Sequence, residues 1–372
     1  MKICHLIYDD VANPWLGGGG AVRAREIYRR LAERHDVTLV TGRFPGAPAE
    51  EWCDGLRFVR VGSERSYAHS RLGYCREAVR CLERLEWDIW VHDFSAFAPL
   101  LVPARLRRFG LLSFYHFVGR HALRKHPLVG GVAWAAEVLT LRGYSRIITI
   151  SPSVREEVES RLRGRSVQVD CVYTGVDESY FELEPIEEPF LLYFGRPDVH
   201  TKGLDVLLDA FASIAFDYPE VTLKMAGRGA PQQVEHLRRL VAAAGLGERV
   251  EMLGGVDEEE KGELLRRALF VCMPSRYEGW GIVAVEAAAA GKAVVGTRIS
   301  GLVDAVRDGE TGLLAESGDA AGLAERMRGL LDDGQRRKTL GENGRRWARR
   351  FDWNSLARDQ EEVYCRALAE RE

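Results

Sequence analysis

The sequence predicts an α/β protein of two doubly wound domains, each a parallel sheet covered by helices, facing a common cleft. Three observations carry this. The chain has 372 residues, more than a single hydrophobic core usually organises. Short apolar runs rich in β-branched residues alternate with helical patterns along its length. Residues 178–189 (ESYFELEPIEEP), acidic and proline-punctuated, have neither period and separate two such series.

The first series has predicted strands at 2–8 (KICHLIY), 37–41, 57–61, 88–92, 111–115 and 146–150. A helix over 21–32 follows from Ala21, Ala24, Ile27, Tyr28, Leu31 and Ala32, which fall on one stripe. The second series has strands at 190–194 (FLLYF), 221–226, 249–253, 269–273 and 293–297. Its helix 204–214 presents Leu204, Leu207, Leu208, Phe211 and Ile214 to a sheet. The expected domains are 1–184 and 185–354, followed by a helix over 355–371.

Composition is that of a globular protein, 46% hydrophobic and 29% charged. The seven cysteines are odd in number and form no CxxC, which suits free thiols in a reducing compartment and gives zinc no paired ligands. The start, MKICHLIYDD, lacks the long apolar run of a secretory signal, and no stretch reaches the ~18 apolar residues of a spanning helix. A cytoplasmic protein is expected. Net charge is −3, with +3 in residues 1–184 and −6 in 185–372, a balance that argues against nucleic acid. Between Asp93 and Glu137 there is no acid, while Arg105, Arg107, Arg108, Arg120, Arg124 and Lys125 fall there. Two readings stay open for that stretch: a solvated face, or peripheral contact with an anionic inner-membrane face or phosphorylated acceptor.

The segment PSRYEGWGIVAVEAAAAG, 274–291, follows a strand and opens a helix near Gly281. Amides around Gly281, Ile282 and Val283 would form an electropositive end suited to a diphosphate. Glu278 before the helix and Glu286 in its second turn would accept hydrogen bonds from sugar hydroxyls on either side. The segment YFGRPDVHTKG, 193–203, places Gly195, Arg196 and Lys202 at another strand's carboxyl end, where two cations suit a leaving diphosphate. Gly17–Gly20, with Gly18 and Gly19 at its centre, would let backbone approach a ligand closely. No GxxxxGK[ST] or GxGxxG occurs, so neither a P-loop nor hydride transfer is supported. His92 ends one predicted strand and His116 follows another, where either would reach a sugar hydroxyl or simply pack.

At these residues the sequence resembles the retaining glycosyltransferases of family 4, which have the GT-B fold of two Rossmann-like domains. The likeness covers nearly the whole chain and is densest over 190–314, through Glu278 and Glu286 in E-x7-E spacing, Gly195-Arg196 with Lys202-Gly203, and DGETGLL at 308–314. Thr174, Trp280 and Asp304 stand where the family usually has Asn, Phe and Glu. The resemblance implies an acceptor-side first domain, a second domain binding a UDP- or GDP-sugar, and a final helix crossing back to the first. It implies that Arg196 and Lys202 neutralise the diphosphate, Glu286 binds ribose, and Glu278 and His116 contact the hexose, with no metal or other cofactor. Trp280 would set a larger ring beside the sugar. The acceptor is unnamed. A nucleotide-sugar epimerase, or an inactive nucleotide-sugar binder on the same scaffold, is the alternative.

Overall fold

The computed structural model describes residues 1–371 except 16, 96–98, 100–101 and 118–126, and side chains of 127–129 are likewise left undescribed. The chain forms two compact units, Met1–Thr174 with Trp353–Glu372, and Gly175–Asp352.

In chain order, unit 1 contains β1 (Lys2–Leu6), α1 (Gly19–Leu31), β2 (Asp36–Gly42), β3 (Glu50–Cys53), β4 (Leu56–Val61), α2 (Tyr67–Arg84), β5 (Ile89–Asp93), α3 (Ala104–Arg107), β6 (Gly110–Phe114), α4 (Pro127–Leu141), β7 (Arg146–Thr149), α5 (Pro152–Arg161) and β8 (Gln168–Cys171). Its eight strands are ordered β3-β4-β2-β1-β5-β6-β7-β8, all parallel except the β3–β4 pair. Ile3, Leu6, Ile89, Trp90, Leu111 and Ile147 are buried to 1% exposure or less, as both faces of a parallel sheet require.

Unit 2 contains α6 (Ser179–Glu182), β9 (Phe190–Phe194), α7 (Val199–Lys202), α8 (Leu204–Ile214), β10 (Thr222–Ala226), α9 (Pro231–Ala243), β11 (Val250–Gly254), α10 (Glu258–Arg267), β12 (Val271–Met273), α11 (Ile282–Ala289), β13 (Val294–Thr297), α12 (Leu302–Ala305), β14 (Gly312–Ala315), α13 (Ala320–Leu331) and α14 (Gly334–Ala348). Strand order is β11-β10-β9-β12-β13-β14, the doubly wound arrangement, which reverses between β9 and β12. The predicted stripe on α8 packs as expected, with Leu204, Leu207, Leu208, Phe211 and Ile214 in the core.

The closing helix α15 (Trp353–Ala369) lies in unit 1 against α1. Tyr28 and Tyr364 share a hydroxyl hydrogen bond of 2.6 Å, and buried Arg23 donates to Gln360 Oε1 at 3.0 Å. The boundary expected at 184/185 falls inside unit 2. The acidic segment is held there by buried Tyr180, by Ile186 N donating to Arg266 O at 3.0 Å, and by a two-pronged Arg337–Glu187 pair. Pairing partners, absent from a linear pattern, hold this aperiodic stretch in place.

Candidate functional site

The loops after β9 and β12 emerge side by side where the strand order of unit 2 reverses, the place at which such sheets bind ligands. Asp198 caps α7 by accepting from Thr201 N at 3.1 Å, bringing Lys202 to the end of that turn. Gly203 follows with φ +63°, and a Cβ there would stand 2.0 Å from the Pro274 carbonyl oxygen. Only glycine lets the β9 loop lie so close to the β12 loop. Arg276 then joins them: its N–H donates to Thr201 O at 3.0 Å, and its guanidinium spans both Asp205 oxygens at 2.7 Å each.

On this base Lys202 Nζ donates to Glu278 Oε1, which also accepts from Ser275 Oγ at 3.0 Å. The two charged side chains are 17% and 15% exposed, accessible yet held. A third loop, after β13, closes on the same point. Gly301 has φ +82°, and a Cβ there would meet the Gly279 carbonyl at 2.6 Å. Beyond Glu278, Gly281 caps α11 without a side-chain bond, and the amides of Ile282 and Val283 have no carbonyl within the helix to satisfy them. That helix end carries positive character.

Glu286 lies further along α11 and is 8% exposed. Lys261 Nζ, on α10, donates to its Oε1 at 2.7 Å, and the ammonium lies 5.0 Å from the Phe194 ring and 5.4 Å from that of Tyr180. Glu286 Oε2 is buried without a hydrogen-bond partner among the described residues, an acceptor with capacity to spare. Burial pushes the Glu286 carboxyl up, and Lys261 opposes that shift.

The expected residues therefore sort as follows. Lys202 pairs with Glu278, which precedes Gly281, Ile282 and Val283 at the start of α11 in the chain; Gly195 and exposed Arg196 lie in the same β9 loop as Lys202, and Glu286 sits deeper on α11. Gly18 and Gly19 belong to unit 1, where Gly18 caps α1 without a side-chain bond. A Cβ on Gly18 or Gly20 would lie 3.9 Å from Asp9 Oδ2, and burial pushes the Asp9 carboxyl up to about 6 against the opposing Arg71. His116 is exposed just beyond β6. One open reading is decided and one expectation changes. His92 is 1% exposed and bonds Tyr144 OH at 2.8 Å, so it packs inside the sheet. Trp280 is 2% exposed with its ring 5.0 Å from that of Phe351, which makes it a core residue of unit 2. Sequence reasoning missed Lys261 and Ser275, since a lysine among glutamates reads as a solvated face.

Residues 177–347 match the family described as glycosyl transferases group 1, and residues 17–180 match glycosyltransferase family 4. The MMP α-(1→4)-mannosyltransferase of Mycolicibacterium hassiacum is 31% identical over 95% of both chains. The chain belongs to the group 1, family 4 glycosyltransferases. This glycosyltransferase is also 33% identical to an uncharacterised glycosyltransferase of Methanocaldococcus jannaschii, a likeness that spans 59% of that relative's length and of its own. Among solved structures, a sucrose-phosphate synthase from Thermosynechococcus elongatus superposes over all of both chains with TM-score 0.83 at 24% identity. Anabaena HepE in complex with UDP-glucose does so with TM-score 0.75 at 19% identity, over 98% of this chain and 99% of that one. These two likenesses show the GT-B fold.

Proposed function

We propose that this glycosyltransferase moves a hexose from a UDP- or GDP-sugar, with retention of anomeric configuration, to a glycan, lipid or small-molecule acceptor. The observation that carries it is the Lys202–Glu278 pair, set beside the uncapped start of α11 at the strand-order reversal. A diphosphate would compete for the Lys202 ammonium and leave Glu278 free to accept from hexose hydroxyls. Arg196 and the amides of Ile282 and Val283 add positive charge where the leaving group gains negative charge. Each such preorganised contact contributes about 3 kcal/mol to the transition state. Glu286 Oε2 supplies the acceptor for a ribose hydroxyl, with Lys261 fixing the other oxygen.

In this reading the bond from the anomeric carbon to the diphosphate breaks first, the acceptor oxygen bonds to that carbon on the leaving-group face, and the departing phosphate oxygen takes the acceptor's proton. His116 is assigned to the hexose and Gly18–Gly19 to the diphosphate side. No metal is required, because Arg196, Lys202 and the helix end supply the positive charge. A UDP-glucose complex of a relative in fold supports a nucleotide-sugar donor.

Turnover of Lys202→Ala and Glu278→Gln with the donor identified by thermal-shift screening tests the site. Wild-type rates in both would refute it, and an inverted product anomer would refute retention. Donor isomerisation without acceptor would assign an epimerase; saturable donor binding without transfer or hydrolysis would assign an inactive binder.

A further inference from the structure

Helix α4 presents a face with no polar side chain. From 131 to 139 its exposed residues are Val132 at 60%, Trp134 at 48%, Ala135 and Leu139 at 69%, with Gly131 and Val138 half-buried beside them. The helix's acid, Glu137, is turned inward and fully buried, where Arg161 donates to it at 3.0 Å. Solvated helices normally carry charge on this face. A contiguous exposed apolar patch marks a contact.

The helix's carboxyl end is cationic. Arg142 is exposed just past it, and its carbonyl accepts from Arg165 Nη2 at 2.8 Å. Arg107 brings its guanidinium to the same turn: a Cβ on Gly143 would stand 2.3 Å from Arg107 Nη1. The sequence from 94 to 136 adds no acid.

We propose that the outward face of α4 docks on an anionic lipid surface. Val132, Trp134 and Leu139 enter the boundary between headgroups and acyl chains, where tryptophan is favoured, and the arginines meet the phosphate headgroups. The charge complementarity selects this occupant. The proposal is independent of the donor site in unit 2, so the failure of either leaves the other standing.

Sedimentation with phosphatidylcholine vesicles, with and without phosphatidylglycerol, tests it. The full chain should pellet with the anionic vesicles and roughly tenfold less with the zwitterionic ones. Replacing Val132, Trp134 and Leu139 together by Ser should lower anionic partitioning roughly tenfold with the melting temperature unchanged. Leu139→Ser alone, at the most exposed position, should lower it by a smaller factor and guards against misfolding of the triple variant. Failure to pellet at low salt, equal pelleting on both vesicles, or unchanged pelleting of a folded triple variant would each overturn it. So would a concentration-dependent dimer that the same substitutions abolish, because the face would then belong to a second copy.

Discussion

Both units carry buried or half-buried ionisable groups around their sheets, but the two units satisfy them in different ways. Unit 2 pairs opposite charges: Lys202 with Glu278, Lys261 with Glu286, Arg276 with Asp205. Unit 1 largely suppresses charge. Burial lowers His92 to about 4 and His5 to about 3, and raises the Asp93 carboxyl well above its ordinary range. Buried Arg23 donates to neutral oxygens of Val172, Tyr173 and Gln360. Asp10 with Arg60, and buried Glu137 with Arg161, each paired at 3.0 Å, stand apart from this pattern. The contrast bears on function. An ion pair can be exchanged for an ionic ligand at little net cost, whereas a neutral buried network holds a shape.

The comparison breaks most readily at Lys261. Lys261→Met should destabilise unit 2 by about 3–5 kcal/mol, because Glu286 would be left buried and uncompensated. Urea unfolding measures this, and adding Glu286→Gln should restore much of the loss. Equal stability of single and double variants would show that the pair is not coupled.

Lys202→Ala should spare stability and cost activity, lowering kcat/KM by about 10²–10³. A variant that unfolds early while keeping its turnover would reverse the assignment, making the pair structural. The two lysines thus separate a pair whose loss should first unfold the unit from one whose loss should first cost turnover.

In unit 1 the check is pH. His92 is buried neutral, with its pKa lowered to about 4, so the unfolded chain takes up a proton near 6.5 that the folded chain refuses until about 4. Stability from this group is therefore present above 6.5 and lost as pH falls toward 4. His92→Gln should be less stable than wild type at neutral pH. Its deficit should shrink on acidification by on the order of 2 kcal/mol. A deficit constant between pH 7 and 4.5 in thermal unfolding would show that His92 titrates normally.

Ser275→Ala removes the 3.0 Å bond that steadies Glu278 and should cost about 1 kcal/mol in kcat/KM, the smallest of these effects. Steady-state kinetics with saturating and limiting donor resolves it.

Much of this architecture was legible before folding. Strands β1, β2, β4 to β7 and β9 to β13 announced themselves as short apolar runs, and α1 and α8 as stripes. The strands β3 (EEWC), β8 (QVDC) and β14 (GLLA) did not, the first two being polar; their neighbours in the sheet supply their pairing. Glu278 and Lys202 were visible as residue types in loops, but their 76-residue separation hid the pairing that Gly203 makes possible. The outward face of α4 was equally hidden, since a run of apolar residues does not say which side is covered.

Sequence alone determined the alternation of strands and helices, the family motifs and the sign of charge at each loop, because these follow from local patterning and residue chemistry. Tertiary structure alone decided that Lys261 is buried against Glu286, that His92 and Trp280 serve the core, and that Val132, Trp134 and Leu139 remain uncovered. Desolvation is the reason: the same side chain is an ordinary surface group or a constrained one according to what distant segments fold over it.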